Sequence, residues 1–545
     1  MGGLKIAIST YILLVSACYA NGIPRVDPLV DTELGLIRGL TSDDGSYSMF
    51  LGIPYATVNV SNPFGPSIPH PSFDNTFDAF DDSAICPQIN EFTNEVTGTL
   101  DCLHLNVYVP TTASSNNRRP VMVWIYGGGF SIGFAGRYVH GPSYLVRHDV
   151  ILVTLNYRIG PYGFMCLGTP DVPGNQGLKD QLMALRWVKN NIAAFGGDID
   201  KITIFGESAG SVSVDFHFLY TQENLFNQII LQSGTALSPF AVTEPNREVP
   251  LILAQQLGFL TSDLNEALTF LTTIDTDLVI AANNQLQLEH GPCVEEEFEN
   301  VERFISDHPV NMKLGNGVNI PILIGYVEQE LLTLYVNLPP ESYASLNIFE
   351  ESLSPVFNFD IEYFDSMVKN VRQFYIGDEE LSEDLKWDLI DFHSDITFNY
   401  PTYRAIQKYS SSGISNVYCY LFAYNGDRNF VKRRLNITEG SAAHADEISY
   451  LFDVSFFDEV PTPDDQLIID RMTTLWSNFA KYGNPTPEET SLLPIQWPPV
   501  TEESQSFLII NSDLEVQQRP FHDRMAFWDL FYRLNKNQEN GYRED

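Results

Sequence analysis

The chain has 545 residues, with 70 Asp and Glu against 31 Lys and Arg, a formal net charge of −39. That anionic surplus argues against nucleic acid and anionic membrane surfaces as partners, since both carry charge of the same sign. Hydrophobic residues make up 44% and aromatics 12%, ample for one large core, and no Pro/Gly/Ser-rich linker, internal repeat or charge block divides the chain.

In chain order, the first feature reads as a processing signal. Lys5 precedes an apolar run over residues 6–15, and small residues lead to Cys18-Tyr19-Ala20, so 1–20 is expected to be a signal peptide and 21–545 the mature chain. The run is shorter than the about 20 apolar residues a membrane span needs, and no later stretch qualifies. The expectation is a secreted protein with no membrane partner. Export gives meaning to two glycosylation sequons, Asn59-Val60-Ser61 and Asn436-Ile437-Thr438.

An apolar strand over residues 121–125 runs into Gly127-Gly128-Gly129. Three glycines after a strand suit a backbone that approaches a substrate with its N–H groups free, although a plain sheet-to-surface turn has the same composition. A second β-branched run from Lys201 breaks into Gly206-Glu207-Ser208-Ala209-Gly210. Here a strand is expected to end at Gly206 and a helix to begin just past Ser208, holding the hydroxyl clear of the backbone at the positive end of the helix. Flanking glycines leave room for so sharp a turn. Together, the N–H groups of Gly128, Gly129 and Ala209 would form an oxyanion hole. Strand and helix patterns alternate through this half, as in a doubly wound α/β sheet, here with long helical insertions.

These segments resemble the cholinesterase/carboxylesterase branch of the α/β-hydrolases, and the likeness runs through most of the chain. Similar motifs occur in order: Phe50-Leu51-Gly52-Ile53-Pro54-Tyr55-Ala56, Asp101-Cys102-Leu103, the Trp124–Phe130 loop, Asn156-Tyr157-Arg158, Gly174-Asn175-Gln176-Gly177, the Ser208 turn, Gln232-Ser233-Gly234 and Arg524–Trp528. The segment His444-Ala445-Asp446-Glu447 is most similar to insect secreted esterases. The resemblance implies a large, mostly parallel twisted sheet flanked by helices, and a Ser-His-Glu triad with no metal or organic cofactor. A serine hydroxyl is a weak nucleophile until a histidine takes its proton and a carboxylate orients that histidine. Of ten histidines, His444 stands where the family keeps its base, while His104, His140, His217, His290 and His308 read as surface or packing residues. Asp446 and Glu447 are expected to shape the loop. Counting from Gly325 puts Glu330 at the family's acid position, with Glu328 as rival.

The resemblance also assigns a supporting shell. Glu207 and Ser233 are expected to hydrogen-bond around the triad, Arg158 and Asp180 to form a buried ion pair, and Phe240 to wall an acyl pocket. Cys86 and Cys102 match the family's first disulfide. Cys166, Cys293 and Cys419 are then expected to be buried free thiols, a bridge among them being the lesser reading. Relatives often carry a glutamate before Asp-Cys-Leu and an arginine after the Tyr-Ala motif. Leu100 and the Asn62–Gly65 run stand in their places, so both members of an ion pair are absent.

The implied reaction is two-step hydrolysis of a small-molecule carboxylic ester, with odorant or pheromone-ester degradation and detoxification among the roles of similar insect esterases. The Cys86–Cys102 loop holds Phe92 but no tryptophan, against a choline-specific enzyme, whose cation needs an aromatic seat. Glu207 precedes the serine, where juvenile hormone esterases typically have glutamine. The alternative from another class, a non-catalytic adhesion or scaffold homologue, requires a broken triad, which this chain does not show. Oligomeric state is left open.

Overall fold

The computed structural model describes residues 28–314, 319–501 and 503–543. The signal peptide expected over 1–20 lies outside them. Eleven strands form the main sheet: β1 Leu40–Thr41, β2 Tyr47–Pro54, β3 His104–Pro110, β4 Arg119–Ile125, β5 Ile151–Leu155, β6 Gly197–Glu207, β7 Gln228–Gln232, β8 Ile322–Val327, β9 Val417–Phe422, β10 Ser506–Ile510 and β11 Leu514–Gln518. Their spatial order is 1-2-3-5-4-6-7-8-9-10-11. The seven strands from β5 to β10 pair in parallel, and the flanking pairs are antiparallel.

Central strands read as unbroken apolar runs because helices cover both faces. All of β5, β7, β8 and β9 is buried. The helices that frame the strand ends and their supports include α1 Gln176–Asn191, α2 Ala209–Tyr220, α3 Lys386–Ser394, α4 Tyr400–Ser411, α5 Phe430–Arg434, α6 Pro463–Tyr482 and α7 His522–Leu534. Between α3 and α4 the chain makes a π-helical turn, Asp395–Asn399. A second apolar cluster, with Leu332, Leu389, Tyr400 and Trp528, sits under the helical insertions and is anchored by α7.

Two buried ties behave as the sequence predicts. Arg158 and Asp180 are wholly buried and pair side-on, Nε and Nη2 of Arg158 donating to the two carboxylate oxygens at 2.7 and 2.8 Å. Arg158 also donates to the Pro63 and Gly65 carbonyls at 3.0 and 2.7 Å. Cys86 and Cys102 form a disulfide. The reading of the remaining cysteines needs correction. Cys166 and Cys293, expected as free thiols, are bonded across 127 residues, and only Cys419, buried on β9, is free among the described residues. No spacing signals such a bridge. It forms because the Cys293 segment lies on the entry to α1: the Cys293 N–H donates to Asn175 at 2.9 Å, Asn175 donates back to the Cys293 carbonyl at 2.8 Å, and Lys179 pairs with Glu295.

Candidate active site

Every candidate comes from the carboxyl end of a parallel strand, where open α/β sheets place their ligand crevices. β4 and β6 run side by side with Ile125 opposite Gly206, which brings the glycine loop against Ser208. Ser208 adopts φ 56° and ψ −127°, a conformation that L-residues avoid and that persists only where the surroundings impose it. Its N–H donates to the Gln232 carbonyl on β7 at 2.9 Å, and its own carbonyl starts α2 by accepting from Val212 at 2.9 Å. Gly210 is obligatory here, because a Cβ on it would lie 2.1 Å from the Ile125 carbonyl oxygen. Gly128, at φ 111°, turns the loop so that the amides of Gly128 and Gly129 have no acceptor among the described residues.

Ser208, 9% exposed, borders a cavity of about 240 Å³ with Gly127, Gly128, Gly129, Glu207 and His444. His444 enters from the loop after β9. Its Nδ1 lies 2.6 Å from Oε2 of the buried Glu330, whose other oxygen accepts the Val327 N–H at 3.0 Å. The His444 N–H in turn donates to the Glu330 carbonyl at 3.1 Å. Glu328 turns away and accepts from Ser441. Asp446 ties the loop together, accepting from the N–H groups of Val431, Lys432 and Ala443. Of the other histidines, His140, His217 and His290 are buried, and burial holds them below the ordinary imidazole range, while His522 is exposed at the surface.

Glu207 Oε1 is 3.1 Å from Nε2 of His444. Burial disfavours charge on His444, yet the carboxylates of Glu207, Glu330 and Glu447 outweigh it and hold the imidazole up at about 9. Burial first, and then the other carboxylates, push Glu207 and Glu447 upward.

Two supporting assignments change. The hydroxyl of Ser233 has no hydrogen-bond partner among the described residues; its neighbour Gln232 does the bridging, donating to Glu447 at 3.2 Å and accepting from Trp476 at 3.0 Å. The Gln-Ser-Gly motif does support the site, but through its glutamine rather than its serine. Phe240 does not line the cavity beside Ser208. It packs on Phe398, ring centroids 5.4 Å apart, and Phe398 packs on His444 at 4.6 Å. Phe398 was invisible in the sequence, because a π-turn aims it and no spacing pattern marks one.

Comparison with known proteins agrees with this arrangement. The carboxylesterase family model matches residues 26–528. The chain belongs to that family. It is a carboxylic ester hydrolase, similar to bile salt-activated lipase of Rattus norvegicus (32% identity, over 98% of this chain and 90% of that protein) and to juvenile hormone esterase of Heliothis virescens (31%, over 92% and 93%). The crystal structure of juvenile hormone esterase from Manduca sexta, with OTFP covalently attached, superposes with a TM-score of 0.81 at 27% identity, covering 93% of this chain and all of that one. The esterase thus has the α/β-hydrolase fold. No group of side chains that could hold a metal ion occurs among its described residues, and no described helix is long and apolar enough to cross a membrane.

Proposed function

We propose that the esterase hydrolyses neutral carboxylic esters of small acyl groups through Ser208, His444 and Glu330. The observation that carries this reading is His444, seated on Glu330 at 2.6 Å and facing the cavity that Ser208 and the glycine amides share. His444 takes the proton of Ser208 as its Oγ attacks the ester carbonyl. The N–H groups of Gly128, Gly129 and Ala209 bind the developing oxyanion. As the tetrahedral adduct collapses, His444 returns the proton to the leaving alcohol, and the acyl-enzyme is hydrolysed by water activated at the same imidazole. Phe398, whose ring packs on His444 at 4.6 Å and on Phe240 behind it, sets aromatic bulk beside the base, which supports a preference for small acyl groups.

Export is part of the proposal. Two disulfides suit an oxidising compartment, and Asn59 and Asn436 are both exposed for glycosylation. Similarity to juvenile hormone esterases and to bile salt-activated lipases is nearly equal, so it does not select the substrate.

The test is kcat/KM on acetate, butyrate and hexanoate esters of one chromogenic alcohol. Ser208→Ala should lose on the order of a millionfold in kcat, and Glu330→Gln several orders of magnitude, while Glu328→Gln costs little. Acetate should lead the series, with about tenfold or more lost for each misfit step. An active Ser208→Ala variant, or a damaging Glu328→Gln beside a harmless Glu330→Gln, ends the mechanism; best turnover on hexanoate ends the acyl assignment.

A further inference from the structure

The cavity has a second wall that the mechanism leaves unused. Glu91, Phe430 and Arg434 line the same space as Ser208 and His444. Arg434, the last residue of α5, forms an ion pair with Glu91, and both side chains are only about a quarter exposed, at 24% and 21%. The guanidinium also lies against two aromatic rings, 5.3 Å from the centre of Phe92 and 5.6 Å from that of Phe430. Glu91 and Phe92 belong to the loop closed by Cys86 and Cys102. Two rings and a carboxylate, partly withdrawn from water, are the elements of a cation site, since a positive charge is held by the negative ring faces and by the acid. In this protein the chain supplies the cation.

We propose that Arg434 acts as a resident cation that sets alcohol-side specificity. It fills the seat that Phe92, Phe430 and Glu91 form and so excludes esters whose alcohol carries a quaternary ammonium. Such a substrate would meet a guanidinium of like charge, an acid already neutralised and ring faces already covered. A neutral alcohol avoids that repulsion and packs on Phe430, which lines the cavity. The missing tryptophan of the loop is therefore a lesser barrier to choline esters than Arg434, and the loop keeps a latent cation site. The inference rests on the hydrolytic reading for its kinetic arm alone.

The experiment pairs acetylthiocholine with its uncharged carbon isostere, 3,3-dimethylbutyl thioacetate, and adds calorimetric binding of phenyltrimethylammonium. In Arg434→Ala the charged-to-neutral ratio of kcat/KM should rise at least on the order of tenfold. Phenyltrimethylammonium should bind this variant and not the wild type. Adding Glu91→Gln should reverse most of both changes, which a mere enlargement of the cavity would not do. Arg434→Gln, which keeps a long polar side chain on the rings, serves should the alanine chain not fold; a smaller rise is expected of it. An unchanged ratio with unchanged binding overturns the proposal, as does wild-type binding of phenyltrimethylammonium equal to that of the variant. Binding gained without turnover of either ester by any chain, wild type included, upholds the seat and defeats the hydrolytic reading instead.

Discussion

His444 is the residue on which the chemistry turns, and three buried acids surround it. Only the neutral imidazole can accept the Ser208 proton, so kcat/KM should fall as pH drops below the value near 9 at which Glu207, Glu330 and Glu447 hold it. Glu207 contributes through its 3.1 Å approach to Nε2. Glu207→Gln removes one negative charge, lowers the affinity of His444 for its proton, and should move the acid limb of the profile to lower pH. The check is kcat/KM between about pH 5 and about pH 10 for both proteins. A limb that stays put, or shifts upward, shows that Glu207 does not set the titration of the base. His444 and Glu330 were named from the family resemblance, and their side chains lie 2.6 Å apart; Phe398 was not named, since its place depends on a π-turn.

At the scale of elements, the site is a set of strand ends held in register. The Ser208 turn works because β4 and β6 lie side by side and Gly210 lets α2 approach the end of β4. The Arg158–Asp180 pair fastens the segment after β5 to α1 and to the Pro63–Gly65 carbonyls. Removing one partner strands a buried charge, so Asp180→Ala should cost about 3–5 kcal/mol of unfolding free energy in urea. Replacing both by apolar residues of similar volume should recover most of it. A loss under about 1 kcal/mol in the single variant contradicts the structural role given to the pair. Leu100, partly buried, packs on two of the apolar clusters.

For the whole molecule, the covalent ties differ in reach. Cys86–Cys102 closes 16 residues and Cys166–Cys293 closes 127. In the chain-entropy model the first is worth about 3 kcal/mol and the second about 5. Thermal melting should therefore show a larger fall for the Cys166→Ser, Cys293→Ser double variant than for Cys86→Ser, Cys102→Ser. The reverse order, or no effect of the longer bridge, would remove its structural role. The longer bridge also pins the Cys293 segment to the entry of α1, the helix that carries Asp180, so its loss should weaken the same part of the core.

What could be read along the chain was whatever depends on short-range chemistry. Apolar runs buried on two faces marked the parallel strands, and glycines flanking Ser208 marked the sharp turn. Glu330 was marked only through the family resemblance, whose pattern places a glutamate at that distance from Gly325. Contacts between segments far apart in sequence left no such trace. Cys166 meets Cys293, Phe398 meets His444, and Arg434 meets Glu91 and Phe92 because separate loops converge at the strand ends. Each of those pairings depends on how the helical insertions pack over the sheet. That packing arises from apolar burial summed over many residues, a non-directional force that leaves no local pattern in any one of them.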